Sequence, residues 1–411
     1  MNRKYIINTR DVCNMGGGQL FVLRRARHLR DMGYEVIVLV SIHDGNFVLK
    51  SEFGAIPIYY HPELNNSSLY ISPRKSKTVI FEILKQIGEA DEFLIESHTL
   101  QATEWGEIIA SYLNAKHLCY LLAEPTIQSY RWKVGKRIFK QKLVSNEFWG
   151  CSSISIERIW GKHVEPNNFV NIGFDDSELV DKSVPKICYT KAVDSYCIAT
   201  ISRLEKTYIE PLIDASQKLA SHYPSNHFDL IVAGGSSDKS RESYLFKKYK
   251  NNLNIPNNLN IIFTGFINKL GRDLFRFADV FVGMGTASIN AISQGCLCIN
   301  IDPSNNDMAS GFFGTDTMNF AYTENGMIYS IYDKLEEAFN LPEKTKNMYI
   351  SSGRQLYKKK FSITECELQL DNAIDNCSKV KSNSVIMPNV LDYWIFSMAR
   401  MCVRAIRKLS I

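Results

Sequence analysis

The 411-residue sequence predicts an α/β protein of two Rossmann-like domains facing across a cleft. Three observations point there. Short apolar runs of strand length alternate with amphipathic stretches of helix length. The alternation breaks in a polar segment, 173–194, and it begins again near Ser195. Strands that are nearly continuous in apolar residues suit a parallel sheet covered by helices on both faces.

In the first half, Tyr5–Asn8 reads as a buried strand and Gly16-Gly17-Gly18 as the turn after it. A helix is expected from about Gln19 to Met32, with Val22, Leu23, Ala26 and Leu29 on one face. Gly33 is placed to stop it, and Tyr34–Val40 reads as the next strand. Further strands are expected at Ala55–Tyr59, Glu92–Glu96 and Leu118–Leu122. In the second half the expected strands are Tyr196–Ile201, His227–Ala233, Asn260–Phe263, Ala278–Val282 and Leu297–Asp302, with a helix over Glu210–Ser221. The expected division is a first Rossmann-like domain over 1–178 and a second over 190–361. A crossover helix, 362–376, and a tail, 377–411, complete it.

Composition narrows the function classes. With 45% hydrophobic and 22% charged residues, the chain can bury enough apolar surface to offset its conformational entropy, which argues against disorder. Lys and Arg number 48 against 43 Asp and Glu, a net charge of +5. That excess is too small to mark a nucleic-acid binder, so no nucleic acid is expected as a partner. Ten cysteines include one close pair, Cys296-x-Cys298, which is neither zinc-ligand spacing nor a dense disulfide framework. Reduced thiols and no metal are expected. Asn2-Arg3-Lys4 is followed by only Tyr5–Asn8 before Arg10-Asp11, unlike a secretory signal, and no window of about 20 residues is apolar enough to span a bilayer. The expected location is cytoplasmic, with attachment at the inner face of the plasma membrane left open.

Three segments carry chemistry. Gly17 and Gly18 open a helix directly after a strand, where backbone amides carry partial positive charge and glycine admits a close ligand. The segment departs from G-x-G-x-x-G, since 19–21 is Gln-Leu-Phe, and a flexible turn is the other reading. Ile201-Ser202-Arg203-Leu204-Glu205-Lys206 brings two cations to the carboxyl edge of a sheet, where open α/β folds bind ligands. Arginine there can pair bidentately with phosphate; the alternative is a solvated, salt-bridged loop. Gly283-Met284-Gly285-Thr286-Ala287 leads into a short helix, with Thr286 read as its N-cap and Gly295 as its stop. Asn290 lies one turn in. A tight turn with no ligand is again the alternative.

These residues resemble a family. Ile201-Ser202-Arg203-Leu204, Leu212–Ala215, Leu230–Gly235, Phe263-Thr264-Gly265, Ala278–Val282 and Asn290–Gly295 follow, in order, the donor half of GT-B glycosyltransferases of retaining family four. Leu29-x3-Gly33-Tyr34-Glu35-Val36, with the glycine turn before it, is similar to that family's acceptor half, so the resemblance covers about 4–375. It implies a nucleotide-sugar donor, a glycan or lipid-linked acceptor, retention of anomeric configuration, hexosyl transfer and no metal or other cofactor. Donor binding would fall to Gly17, Gly18, Gly234, Gly283, Gly285, Thr286, Ala287 and Asn290. Arg203 matches the family's diphosphate-binding arginine. The family's lysine usually lies five positions later, here Tyr208, and Lys206 is taken as its substitute. Of two glutamates eight residues apart, the second aligns with Asn290. The first has no counterpart because Val282–Asn290 is short. A histidine of the N-terminal domain aligns near Ala123-Glu124, and His98 follows a different strand, so Glu124 and His98 are the acceptor-side candidates. The missing glutamates leave a second hypothesis open, a non-catalytic GT-B subunit serving a partner transferase. A sugar-nucleotide epimerase is a third.

The tail carries a further pattern. At 100° per residue, Arg400, Arg404, Arg407 and Lys408 fall on one side of an expected helix over Val390–Leu409, with Leu391, Trp394, Ile395, Met398, Cys402, Ala405 and Leu409 opposite. Such a helix suits an anionic membrane surface, or else packs on the protein.

Overall fold

The computed structural model describes residues 2–13, 17–43, 50–68, 71–122, 135–151, 169–236, 239–251, 255–267, 269–302, 305–319 and 326–381, with Trp394 and Met398. The chain divides into two units, one of Met1–Ile172 with Cys366–Ile411 and one of Gly173–Glu365. The glycine at position 16, Glu124 and most of the expected tail helix lie outside the described residues. Trp394 and Met398 are exposed, at 58% and 53%.

The first unit runs β1 (Arg3–Thr9), α1 (Gly17–Asp31), β2 (Glu35–Val40), α2 (Lys50–Phe53), β3 (Ile58–Tyr60), a 3-10 turn (Pro62–Asn65), α3 (Pro73–Ile87), β4 (Glu92–Ser97), α4 (Leu100–Leu113), β5 (Lys116–Leu121), α5 (Gly135–Val144) and β6 (Phe148–Gly150). Its six strands are all parallel, in the order β3-β2-β1-β4-β5-β6. Strand alternation splits β1 between two cores. Tyr5 and Ile7 join Phe21, Val22, Ala26 and Leu29 of α1 on one face, while Ile6 joins Ile80 and Ile83 of α3 and Trp105 and Ile108 of α4 on the other. Local sequence sets the helix ends. Ser72 caps α3 ahead of Pro73, the Thr99 hydroxyl caps α4 by accepting from the Ala102 amide at 3.1 Å, and Gly33, at φ +89°, ends α1. The strand expected from Ala55 starts only at Ile58. Pro57 has no N–H to give the ladder, and its carbonyl accepts from Val38 at 3.0 Å.

The second unit runs β7 (Ser195–Ile201), α6 (Ile209–His222), β8 (His227–Ala233), α7 (Lys239–Asn251), β9 (Leu259–Gly265), α8 (Arg272–Phe277), β10 (Val280–Gly283), α9 (Thr286–Ser293), β11 (Cys298–Ile301), β12 (Met308–Phe312), β13 (Tyr329–Ser330), α10 (Ile331–Asn340) and α11 (Glu343–Leu356). The chain then passes into α12 (Ile363–Asp375), most of which belongs to the first unit. The sheet order is β13-β12-β11-β10-β7-β8-β9, parallel from β11 to β9, with β12 and β13 antiparallel at one edge. Ile198, Leu230 and Val280 pack on α6 and α10 on one face; Ala199, Ile231 and Phe281 pack on Phe275, Ile289 and Phe361 on the other.

Two buried ionic clusters hold the first unit. Arg25 of α1, wholly buried, pairs with Glu96 of β4 at 3.0 Å and with Glu367 and Asp371 of α12, the latter at 2.7 Å. Lys142 of α5 sits between Glu107 and Glu147, at 2.8 Å from each, and Glu107 also bonds His117 at 2.7 Å. Burial alone would raise Glu107, but His117 and Lys142 outweigh it and hold the carboxyl at about 2. The nine described cysteines are all free thiols. Among the described residues no helix is long and apolar enough to cross a membrane.

Candidate functional site

The carboxyl edge of the second unit's sheet gathers most of the residues singled out by sequence. Because β10, β7 and β8 are parallel neighbours, the loops leaving them emerge side by side. The loops after β7 and β8 are hydrogen-bonded together: the Ser202 amide donates to Ala233 O at 2.9 Å and the Leu204 amide to Gly235 O at 3.0 Å. Glycine is required there, since a Cβ on Gly234, whose φ is +139°, would lie 2.0 Å from the Ser202 carbonyl oxygen. Ser236 Oγ donates to Glu205, a second tie between the two loops.

On this frame Arg203 is exposed and Lys206 half-buried. Neither side chain has a carboxylate partner among the described residues, so both charges remain available for an anion. The lysine position of the resemblance, Tyr208, is fully buried, with its hydroxyl 3.1 Å from Thr200 Oγ1. It belongs to the core rather than to a ligand.

The loop after β10 is two residues long, Met284 and Gly285, before α9 begins. Thr286 is the first helical residue, a correction to the expected N-cap. The cap is Gly285, at φ +61°, and no side chain bonds the first-turn amides. A Cβ on Gly285 would meet nothing within 4 Å. The opening amides of α9, at Thr286 and Ala287, therefore lack a side-chain cap at the positive end of the helix dipole. Ser288, through its hydroxyl on Asn300 Oδ1 at 2.9 Å, and Ile289, in the core, fix the helix against the sheet. Asn290 Oδ1 is buried with no hydrogen-bond partner. Asn306, after β11, repeats the pattern: Nδ2 donates to Thr207 Oγ1 at 2.7 Å, while Oδ1 is buried without a donor among the described residues. Sequence reading passed over Asn306 and Thr207, which stand in polar loops that match no motif.

Gly17 and Gly18 lie in the first turn of α1, in the first unit, as does His98 after β4. His98 is 2% exposed, packed edge-on against Phe21 and Tyr120. Its Nε2 bonds Glu96 Oε1 at 2.7 Å, and its Nδ1 has no partner. Glu96 also accepts from Tyr5 Oη at 2.6 Å. Burial would raise Glu96, but Arg25 and His98 prevail and keep it ionised, at about 2. Among the described residues one His–carboxylate cluster has metal-ligand spacing, His28, Glu367 and Asp371, with ligand atoms within 4.8 Å of one another. Arg25 already lies on both carboxylates, so a guanidinium occupies the place of a cation.

The two parallel-sheet units have the fold of GT-B glycosyltransferases. Among solved structures, HepE from Anabaena in complex with UDP is similar to this chain at a TM-score of 0.62 and 17% identity, covering 90% of this chain and 99% of its own. A glycosyltransferase from Rickettsia africae matches at 0.61 and 16% identity, covering 92% and 99%. Sucrose-phosphate synthase from Thermosynechococcus elongatus matches at 0.57 and 11%, covering 90% and 98%. No protein-family model and no curated protein sequence matches the chain.

Proposed function

We propose that this protein is a metal-independent retaining glycosyltransferase, moving a hexosyl group from a nucleotide-sugar donor to a glycan or lipid-linked acceptor in surface polysaccharide synthesis. The observation that carries the reading is the carboxyl edge of the second unit. Two uncommitted cations, an uncapped helix start and two buried amide oxygens without donors are what a nucleoside diphosphate and its hydroxyls would complete. HepE, a structure of the same fold, is bound to UDP, which supports this class of ligand. In the proposed reaction the bond between the anomeric carbon and the diphosphate oxygen breaks, and the diphosphate leaves with the electron pair. Arg203, Lys206 and the amides of Thr286 and Ala287 would stabilise that developing charge, a preorganised electrostatic role. The acceptor hydroxyl oxygen forms the new glycosidic bond and passes its proton to the departing diphosphate oxygen. Acceptor handling falls in this reading to the first unit, with Glu124 and the unpartnered Nδ1 of His98 as candidates.

One observation favours a second reading, a non-catalytic GT-B subunit that binds a partner glycosyltransferase. The two-residue connection from β10 to α9 leaves no loop for the family's first glutamate, and Asn290 replaces the second. A nucleotide panel of UDP, GDP, ADP and CMP, read by thermal shift, tests both. A true donor nucleotide at about a hundredfold over Kd adds about 2.7 kcal/mol to stability. Stabilisation by one nucleotide, with turnover of its sugars, supports the enzyme; no response to any nucleotide supports the subunit and removes the donor reading.

A further inference from the structure

A groove of about 780 Å³ opens on the first unit where β3 ends, bounded by the 3-10 turn and the length of α3. Its volume lies within the range of sites that enclose small organic ligands, roughly 300–1,000 Å³. At one wall stands Tyr60, 42% exposed and 5.5 Å from the ring of His43, presenting an aromatic surface that no core contact explains.

Four of the polar groups around it, His61, Glu63, Lys75 and Glu82, are paired with one another. The Glu63 amide donates to His61 Nδ1 at 3.3 Å, so His61 Nε2 carries the hydrogen and donates to Glu82 Oε2 at 3.0 Å. Lys75 pairs with Glu63. Glu82 Oε1 and Lys85 are left for solvent or a ligand. Among the acidic and lysine side chains of the lining, the two carboxylates Glu63 and Glu82 balance the two ammonium groups Lys75 and Lys85. A site for phosphate or an anionic lipid needs a surplus of positive charge, and a site for a cation needs the reverse. This one has neither. An aromatic face beside held carboxylates and ammonium groups suits a neutral polyhydroxylated ligand, whose C–H faces lie on the ring and whose hydroxyls meet the charged rim.

We infer that this groove binds a neutral oligosaccharide, holding part of a glycan chain. The choice of a saccharide rests in part on the transferase reading, and the charge balance argues for it separately. The test is saturation-transfer NMR on the full chain with neutral trisaccharides of gluco, galacto and N-acetylglucosamine configuration, alongside the thermal response to UDP. At least one trisaccharide should bind wild type, with affinity about tenfold weaker in Tyr60→Ala and retained in Tyr60→Phe, since loss of an aromatic contact and its buried area is of that size. Glu82→Gln should also weaken binding. Both sites are solvent-facing, so the variants should keep the wild-type melting temperature. Binding by no trisaccharide, or binding indifferent to Tyr60→Ala, overturns the inference. A chain that responds to UDP but binds no trisaccharide loses the groove and keeps its donor site. One that binds saccharide through Tyr60 and ignores UDP, GDP, ADP and CMP alike keeps the groove and loses the donor reading.

Discussion

Arg203 and Asn290 carry the donor proposal at the scale of single residues, and each fails in its own way. Arg203 is exposed on a loop pinned by Ser202 and Leu204, so Arg203→Ala should leave the melting temperature unchanged. Donor affinity or turnover should drop at least about tenfold, since a hydrogen bond to a charged group contributes about 1.5–3 kcal/mol. Unchanged donor kinetics would reduce Arg203 to a solvated surface cation. Asn290 offers an acceptor that meets no donor in the fold. Filling it with a ribose hydroxyl gains about 0.5–1.5 kcal/mol, so Asn290→Ala should weaken donor binding by about two- to tenfold. Asn290→Asp should match or exceed wild type, because a carboxylate accepts more strongly. If calorimetry finds all three alike, Asn290 is only a helix residue. The place of Arg203 on the loop after β7 was legible in the sequence because a strand-to-loop motif marks it. Asn306 was not, because an orphaned acceptor exists only once tertiary packing has removed its water.

Elements differ in legibility for a similar reason. β8 spans His227–Ala233 as its apolar run predicts, because a central parallel strand is buried on both faces and its composition alone defines it. β6, β12 and β13, at three, five and two residues, are too short to show a period and are defined by their partners. The pairing of α1 with α12 was also hidden, since the residues that meet are more than 340 positions apart. His28 Nε2 lies 2.9 Å from Asp371 Oδ2, and that bond raises His28 above its ordinary 6.5 against the opposing effect of burial. Asp371 moves the other way: burial would raise it, but His28 and Arg25 hold it below 3.8. The His28 contribution is therefore complete below pH 6.5 and is lost as pH rises through the folded value. The Asp371 contribution is present above pH 3.8 and is lost as pH falls through its own folded value. Stability from urea unfolding should thus decline as pH rises above 6.5 and through the raised folded value of His28. His28→Gln should remove that decline. An identical slope in the variant would show that the two helices are not coupled through this proton.

At the scale of the whole molecule, the first unit is not closed by its own first 172 residues. After the second unit the chain returns, and Cys366, Leu370, Ala373, Ile374 and Cys377 enter the core shared by β1, β2 and α1. Arg25 takes two of its three carboxylates from α12, and Val380 donates its amide to Ala115 O at 2.9 Å beside the start of β5. Burying a leucine or isoleucine contributes about 1.5–3 kcal/mol, and a buried charge that loses its partners costs about 3–5 kcal/mol. Their combined loss matches the entire stability of an ordinary domain, about 5–15 kcal/mol. A chain ending at Phe361 should therefore lose the cooperative unfolding of the first unit, seen as a missing calorimetric transition, while the second unit keeps its own. A chain ending at Asn383 retains every one of these contacts and should unfold like the full chain. The two truncations also separate stability from membrane attachment, which we propose for the basic segment 390–409. Flotation with anionic liposomes should be lost on ending at Asn383 although the fold is intact, because desolvated apolar side chains and about 1 kcal/mol per basic residue near the surface leave with the tail. Equal flotation of full chain and Asn383 truncation would end the membrane reading, and a Phe361 truncation that still unfolds in two wild-type transitions would show that α12 is dispensable to the first unit.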